Sequence, residues 1–227
     1  MTETNLTSGP NFMFDARLLQ TNQLKLIPFD PAVHAELYHT SAQAYPEMWS
    51  WLPYGPFATL DAFKAWYESY VHQQRDRVLF AVFDTSKGTG TDTIAAVIGL
   101  MNASADNLCA ELAFVFTLPP FQRTHVTTQA VGLLLTWCFE DLRLRRVQWQ
   151  ANEANERSWR AAEKMGFVKE GVKRWDRALP PGKGGHVAGR RDPKRDWVGR
   201  HTVLLAICWD DWENGVQARV LERMKAR

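Results

Sequence analysis

The stretch best equipped for chemistry is 111–130, ELAFVFTLPPFQRTHVTTQA. An apolar strand closes on Pro119-Pro120, the chain turns, and a helix opens on the polar run from Gln122 to Thr128. The first N–H groups of a helix have no intrahelical acceptor, and its dipole is positive at that end, so a helix start attracts phosphate. Arg123 adds a full positive charge, and Thr124, Thr127 and Thr128 add hydroxyl donors, a set that suits a pyrophosphate. Threonine also opens many helices as a simple cap, so the run taken alone has an ordinary reading too. Glu111 stands in the apolar strand just before. It is either a solvent-facing glutamate or a proton acceptor held in the middle of a sheet. A second block, 145–167, reads RRVQWQANEANERSWRAAEKMGF and sets Asn155 and Ser158 at the opening of another helix. Asn155 suits an N-cap and Ser158 an ordinary first turn, and both can also offer hydrogen bonds to a ligand.

These residues need elements to hold them. Gln23–Phe29 alternates Leu24 and Leu26 and reads as a short strand. Asp30-Pro31 has the form of an N-cap followed by proline in the first turn, opening a helix to about Ala44. Residues 45–58 hold three prolines among Tyr45, Trp49, Trp51, Tyr54 and Phe57, an aromatic loop. Leu60, Phe63, Trp66, Tyr67 and Tyr70 recur at helical spacing over Thr59–Arg77. Val78–Asp84, Thr93–Asn102 and Leu108–Thr117 predict an antiparallel meander, with 86–91 as its first hairpin loop. After the helix at 122–139 come a strand over Arg145–Ala151, a helix over Asn155–Met165 ended by Gly166, and a strand over Phe167–Trp175. Residues 176–200 predict a long loop, Thr202–Cys208 the last strand, and the chain from Asp210 a polar helix.

The expected fold class is therefore α/β: a single domain over 23–212 with a mixed, mostly antiparallel twisted sheet flanked by helices. Residues 1–22 read as a flexible arm and 213–227 as a helical tail.

Composition narrows the function classes. Lysine and arginine exceed aspartate and glutamate by only 27 − 25 = 2, a balance that argues against nucleic acid as the main partner. Cys109, Cys138 and Cys208 lie far apart in apolar runs, which fits reduced thiols and gives no zinc-ligand pair. The histidines form no HExxH pattern, so no metal is expected. No leader-like segment and no run near the ~20 residues of a membrane span is visible, so a cytoplasmic protein with no membrane partner is expected.

The strand with Glu111-Leu112-Ala113-Phe114, the turn at Gln122, Asn155-x-x-Ser158 and Glu163-Lys164-Met165-Gly166-Phe167 together resemble the GNAT superfamily of N-acetyltransferases. The RimJ/RimL-like branch is the nearest in pattern, down to a Trp-rich acidic tail, CWDDW at 208–212. The likeness runs from about Leu24 to Trp212, and 152–167 is its most specific block. One departure stands out. The family's pyrophosphate turn carries two glycines, and here His125 and Thr127 occupy those places.

The resemblance implies a single GNAT-type domain with splayed central strands, acetyl-CoA as cosubstrate, and direct attack by a primary amine. The acceptor is a small molecule or a peptide N-terminus, and the protein a monomer or homodimer. It implies that Phe114, Val115, Phe116 and Thr117 pair with the pantetheine arm. Gln122, Arg123, Thr124, His125, Val126, Thr127 and Thr128 would hold the diphosphate, and Asn155 an amide of the arm. Glu111 becomes the candidate base and Ser158 the donor to the departing sulfur.

Trp49, Trp51 and Tyr54 would wall the acceptor pocket beside Glu111, or else cover the core as packed aromatics. The charged stretch from Asp176 to Arg200 would steer an acidic acceptor or the CoA 3′-phosphate, or else be a solvated mobile loop. The rival from another class is a CoA-binding protein without catalysis, which the two replaced glycines favour.

Overall fold

The computed structural model describes residues 9–86 and 93–225. One nine-stranded sheet organises them: β1 (Leu19–Gln20), β2 (Leu24–Pro28), β3 (Val78–Asp84), β4 (Thr93–Ser104), β5 (Cys109–Thr117), β6 (Arg146–Asn152), β7 (Val168–Leu179), β8 (His186–Val187) and β9 (Val198–Cys208). Its spatial order is β1-β2-β3-β4-β5-β6-β9-β7, with β8 on β9. Every neighbouring pair is antiparallel except β5 and β6, which run parallel. A parallel pair needs a crossover, supplied here by α3 (His125–Thr136) and its wider continuation Trp137–Asp141. The mixed, mostly antiparallel sheet expected from the sequence is the observed one.

Each sheet face carries its own core. On one face α3 and the C-terminal segments pack Leu134, Leu135, Trp137, Trp212 and Val220 against Phe80, Ile98, Leu112 and Val147. On the other, α1 (Pro31–Ala42), α2 (Leu60–Tyr67) and the aromatic loop pack Tyr38, Trp49, Phe63 and Trp66 against Val97, Phe114 and Phe116. The alternation along β4 and β5 feeds both cores, because successive side chains of a strand point to opposite faces. Asp30 caps α1 by accepting the Ala32 N–H at 2.8 Å, with Pro31 behind it. Thr59 caps α2 by accepting the Ala62 N–H.

Several boundaries differ from expectation for reasons of tertiary contact. The 1–22 arm is not loose where it is described. Leu19 pairs with Leu26, and Phe12, Met13, Phe14 and Ala16 pack on the first core, because Trp137 and its neighbours offer an apolar shelf. Residues 1–8, 87–92 and 226–227, which include most of the expected 86–91 loop and the end of the expected tail, lie outside the described residues. The 176–200 loop is shorter than the sequence suggests. β7 continues to Leu179 and β9 starts at Val198, because the two strands keep pairing over Arg177↔Arg200, Ala178↔Gly199 and Leu179↔Val198. The tail is not one helix. A turn α5 (Trp209–Asp211) and α6 (Gln217–Lys225) are separated at Gly215, whose φ of 120° no L side chain adopts readily.

Candidate active site

The parallel pairing of β5 and β6 lasts three residue pairs, Cys109↔Arg146, Ala110↔Val147 and Glu111↔Gln148, and then stops. Beyond Glu111, β5 stays paired only with β4, and β6 only with β9. The facing edge of β5 over 112–117 is thus left without a ladder partner among the described residues. A bulge helps to turn it. Val97 pairs with Phe116 and Gly99 with Ala113, so Phe114 and Val115 together face the single residue Ile98. Phe114 takes a φ of 56°, a left-handed conformation that costs a bulky residue energy and persists because the surrounding packing holds it. Between the diverging strands lies a cleft of about 860 Å³.

Of the carboxylates that line this cleft, Glu47, Glu111 and Glu156, only Glu111 is buried, at 4% exposed. Its Oε2 accepts from Asn102 Nδ2 at 2.8 Å and Gln150 Nε2 at 2.9 Å, while Oε1 takes no hydrogen bond from the described residues. Burial raises its pKa above the usual carboxylate range. The Asn102 hydrogen bond and the charges of Arg177 and Arg200 pull the other way without cancelling that rise. A buried carboxyl with one free oxygen and a raised pKa holds a proton more firmly than a surface glutamate does, which suits it to accept one.

Ser158 and Asn155 border the cleft from the start of α4 (Glu156–Lys164). Ser158 Oγ accepts the Trp149 indole N–H at 3.1 Å, which leaves its own proton available to a ligand. Asn155 makes no side-chain cap to α4, so the capping alternative for it is not realised. Trp51, Tyr54 and Tyr70 form the aromatic wall near Glu111. Phe114, Val115, Phe116 and Thr117 line the cleft as β5 leaves β6.

At the opposite end sits the start of α3. Gln122, Arg123, Thr124, Thr127 and Thr128 all border the cleft there. Thr124 is the N-cap, accepting the Val126 N–H and donating to the Phe121 carbonyl, so its hydroxyl is already engaged. Thr127 Oγ1 lies 2.9 Å from Thr117 Oγ1. The left-handed residue of the turn is Arg123, with φ 63°. Positions 125 and 127 fall inside the helix, where glycine's freedom is not needed. Arg157, Arg160, Lys164 and Arg223 add positive charge around the same cleft.

Three residues expected in the site do not line the cleft with their side chains. His125 turns away and places Nε2 3.3 Å from Asp84 Oδ1, because the first turn of α3 packs over the end of β3. Burial disfavours the Asp84 charge, but hydrogen bonds from Ser86 and the His125 contact hold its carboxyl below the ordinary range. Val126 is fully buried in the first core. Trp49 stands behind Tyr54 and Phe116 and borders a separate cavity of about 330 Å³ with Tyr38 and His39. At that position the reading as packed core holds.

Sequence reasoning missed other residues. Asn102, nine residues from Glu111 across the β4–β5 turn, and Gln150, 39 residues from it, meet it through strand register. By contrast, Arg177 and Arg200 belong to the charged stretch expected to steer an anionic group or else to be a solvated loop, and they border the cleft from paired strands. Lys183 in the same stretch donates to the carbonyls of Trp49, Tyr54 and Gly55, which ties the 180–185 turn down over the aromatic loop. Away from the cleft, Glu153, His186 and His201 bring ligand-type atoms within 4.8 Å of one another. His201 Nδ1 there accepts the Trp175 N–H, which puts the ring proton on Nε2 and disfavours that nitrogen as a ligand. No helix among the described residues is long and apolar enough to cross a membrane.

A family profile described as "Acetyltransferase (GNAT) domain" matches residues 23–168. Over 82 residues the chain is 33% identical to "Putative ribosomal N-acetyltransferase YdaF" of Bacillus subtilis (strain 168), a match that covers 36% of this chain and 44% of that relative's length. A solved structure from Chromobacterium violaceum ATCC 12472, described as a probable acetyltransferase of the GNAT family, is 25% identical with a TM-score of 0.73. That match covers 94% of this chain and 95% of the other. A GCN5-related N-acetyltransferase from Brucella melitensis superposes with a TM-score of 0.77 at 22% identity, covering 97% of this chain and 90% of the other, and supports the fold alone.

Proposed function

The chain belongs to the GNAT acetyltransferase family, and on that premise we propose that it moves an acetyl group from acetyl-CoA to a primary amine by direct attack. The observation that carries the reading is the cleft opened where β5 and β6 part, with buried Glu111 inside it and the start of α3 at its far end.

The residues present fit coenzyme A. The unpartnered edge of β5 over 112–117 offers backbone groups to an extended amide-bearing arm, as an added strand would use them. The basic side chains Arg123, Arg160, Lys164 and Arg223, with the N–H groups of α3, suit phosphates. When bound, acetyl-CoA brings an activated acetyl thioester. Glu111 Oε1 takes the proton of the acceptor ammonium, directly or through one water, so that the amine attacks as a neutral nucleophile. Asn102 and Gln150 hold the carboxylate still by binding its other oxygen. The C–N bond would form as the C–S bond breaks. The Ser158 hydroxyl, anchored through Trp149, would hydrogen-bond the departing thiolate, and the second proton lost from the nitrogen would end on that sulfur as the thiol.

The test is an amine panel incubated with acetyl-CoA, read by thiol release and by the mass gain of one acetyl group on the amine. Amine-dependent thiol release with a matching mass gain is the expected result. Coenzyme A binding with no amine consumed, at any enzyme concentration, would favour the non-catalytic binding protein instead.

Arg123→Ala is expected to weaken acetyl-CoA binding by about tenfold, the loss of one charge-assisted contact to phosphate, and to reduce the salt dependence of binding. The pH profile of turnover should not move. Calorimetry at two salt concentrations checks this, and an unaltered affinity would remove Arg123 from the phosphate site.

A further inference from the structure

Arg177 on β7 and Arg200 on β9 are direct partners across an antiparallel ladder. Such partners lie on the same face with Cβ atoms about 5 Å apart, and like charges so placed are destabilising. Both border the cleft, together with Glu111 and Tyr54. Arg177 has a counterweight in Asp176, 3.5 Å from its Nε, but that carboxylate also serves Lys173 and the Thr202 hydroxyl. Arg200 has less. It is 5% exposed, and its one side-chain hydrogen bond among the described residues runs from Nε to Thr202 Oγ1 at 3.0 Å. No carboxylate oxygen of the described residues lies within 4.0 Å of its guanidinium. The two terminal nitrogens, the fork that matches an oxyanion in bidentate fashion, are therefore left open. Neither terminal nitrogen is among the buried side-chain nitrogens left without a partner, so the fork opens on the cleft. Burial of the rest of the side chain and the neighbouring Arg177 disfavour its charge, and Asp176 and Glu111 offset this only in part. An anion held between the two guanidinium groups relieves that imbalance.

Resting on the acetyl-transfer reading above, we propose that the acceptor is a small primary amine carrying an oxyanion, a carboxylate or a phosphate, and that Arg200 and Arg177 hold that anion while Glu111 faces the amine. The same pair repels a polyamine, and it has no anion to hold on a peptide N-terminus, where the neighbouring carboxyl is an amide.

The test compares kcat/KM for matched acceptors: an α-amino acid against its amide, and 2-aminoethyl phosphate against ethanolamine, with spermidine as the cationic extreme. The anionic member of at least one pair should be preferred by ~100-fold, with the preference expressed in KM, and the two pairs separate carboxylate from phosphate. Arg200→Gln should shrink that preference to a few-fold, and Arg200→Lys should restore only part of it. The melting temperature of empty Arg200→Gln should not fall, whereas a purely structural arginine would lower it on removal. Equal use of charged and neutral acceptors by the natural protein overturns the inference. So does a preference that survives in both Arg200→Gln and Arg177→Gln. Should Arg200→Gln fail to fold, the natural protein and Arg177→Gln decide. Acetylation of neutral amines alone leaves the transferase reading standing and sinks only this one. Acetylation of none, with acetyl-CoA bound, overturns both.

Discussion

Glu111→Gln is expected to lower kcat by ~10²–10⁴-fold while acetyl-CoA affinity stays within a few-fold. The glutamine keeps the shape, and its carbonyl oxygen can still accept from Asn102 and Gln150, so the cleft should persist. What is lost is the oxygen that removes a proton. In the natural protein the rate should climb as Glu111 deprotonates, with a midpoint above the usual glutamate range because the group is buried. That acidic limb should vanish in the variant. The same substitution has a thermal signature. A carboxyl whose folded pKa is raised adds stability that is complete below its unfolded pKa and is lost as pH rises through the folded value. Above its folded pKa, ionised Glu111 therefore costs stability. The variant should melt higher there, by ~2–4 °C for each kcal/mol recovered, and the gap should close on acidification. Rate-against-pH profiles and melting curves on both proteins provide the check. Unchanged turnover at every pH removes Glu111 from the chemistry.

Gly99→Ala is expected to destabilise the protein by ~3 kcal/mol or more and to lower its melting temperature by ~6 °C or more. A Cβ built on Gly99 would overlap the carbonyl oxygen of Val78, which is backbone of the neighbouring strand and cannot swing aside as a side chain could. β3 and β4 would have to separate where both cores meet the sheet. The damage should also reach the cleft. Gly99 pairs with Ala113, the residue directly before the bulge that carries Phe114 and Val115. Acetyl-CoA affinity should fall along with stability. Denaturant melts and calorimetry on the variant measure both, and a melting temperature within a degree of the natural protein's would contradict the argument.

Much of this architecture is already present in local patterns. The meander of strands, the proline stop at 119–120, the capped helix that follows and the helix start at Asn155 all depend on neighbouring residues, and they appear where the periodicity places them. The order of elements then forces β6 to run parallel to β5 while the other pairs are antiparallel, which is the geometry that lets two central strands part. Glu111, Ser158 and the residues of the α3 start consequently face one cleft.

Direction and register were different matters. His125 sits beside Thr124 in sequence, yet it faces Asp84, because a helix turns each successive side chain by about 100° and packing chooses which face meets the sheet. Nothing local to Trp49 distinguishes it from Trp51, although one supports the aromatic wall from behind and the other borders the cleft. The pairing of Arg177 with Arg200 depends on how far β7 and β9 keep their register past an irregular stretch, a sum of contacts along two strands. Local periodicity and capping chemistry determined which elements form and in what order. Only the long-range register of the sheet, and the packing of its two faces, decided which charged groups share the cleft.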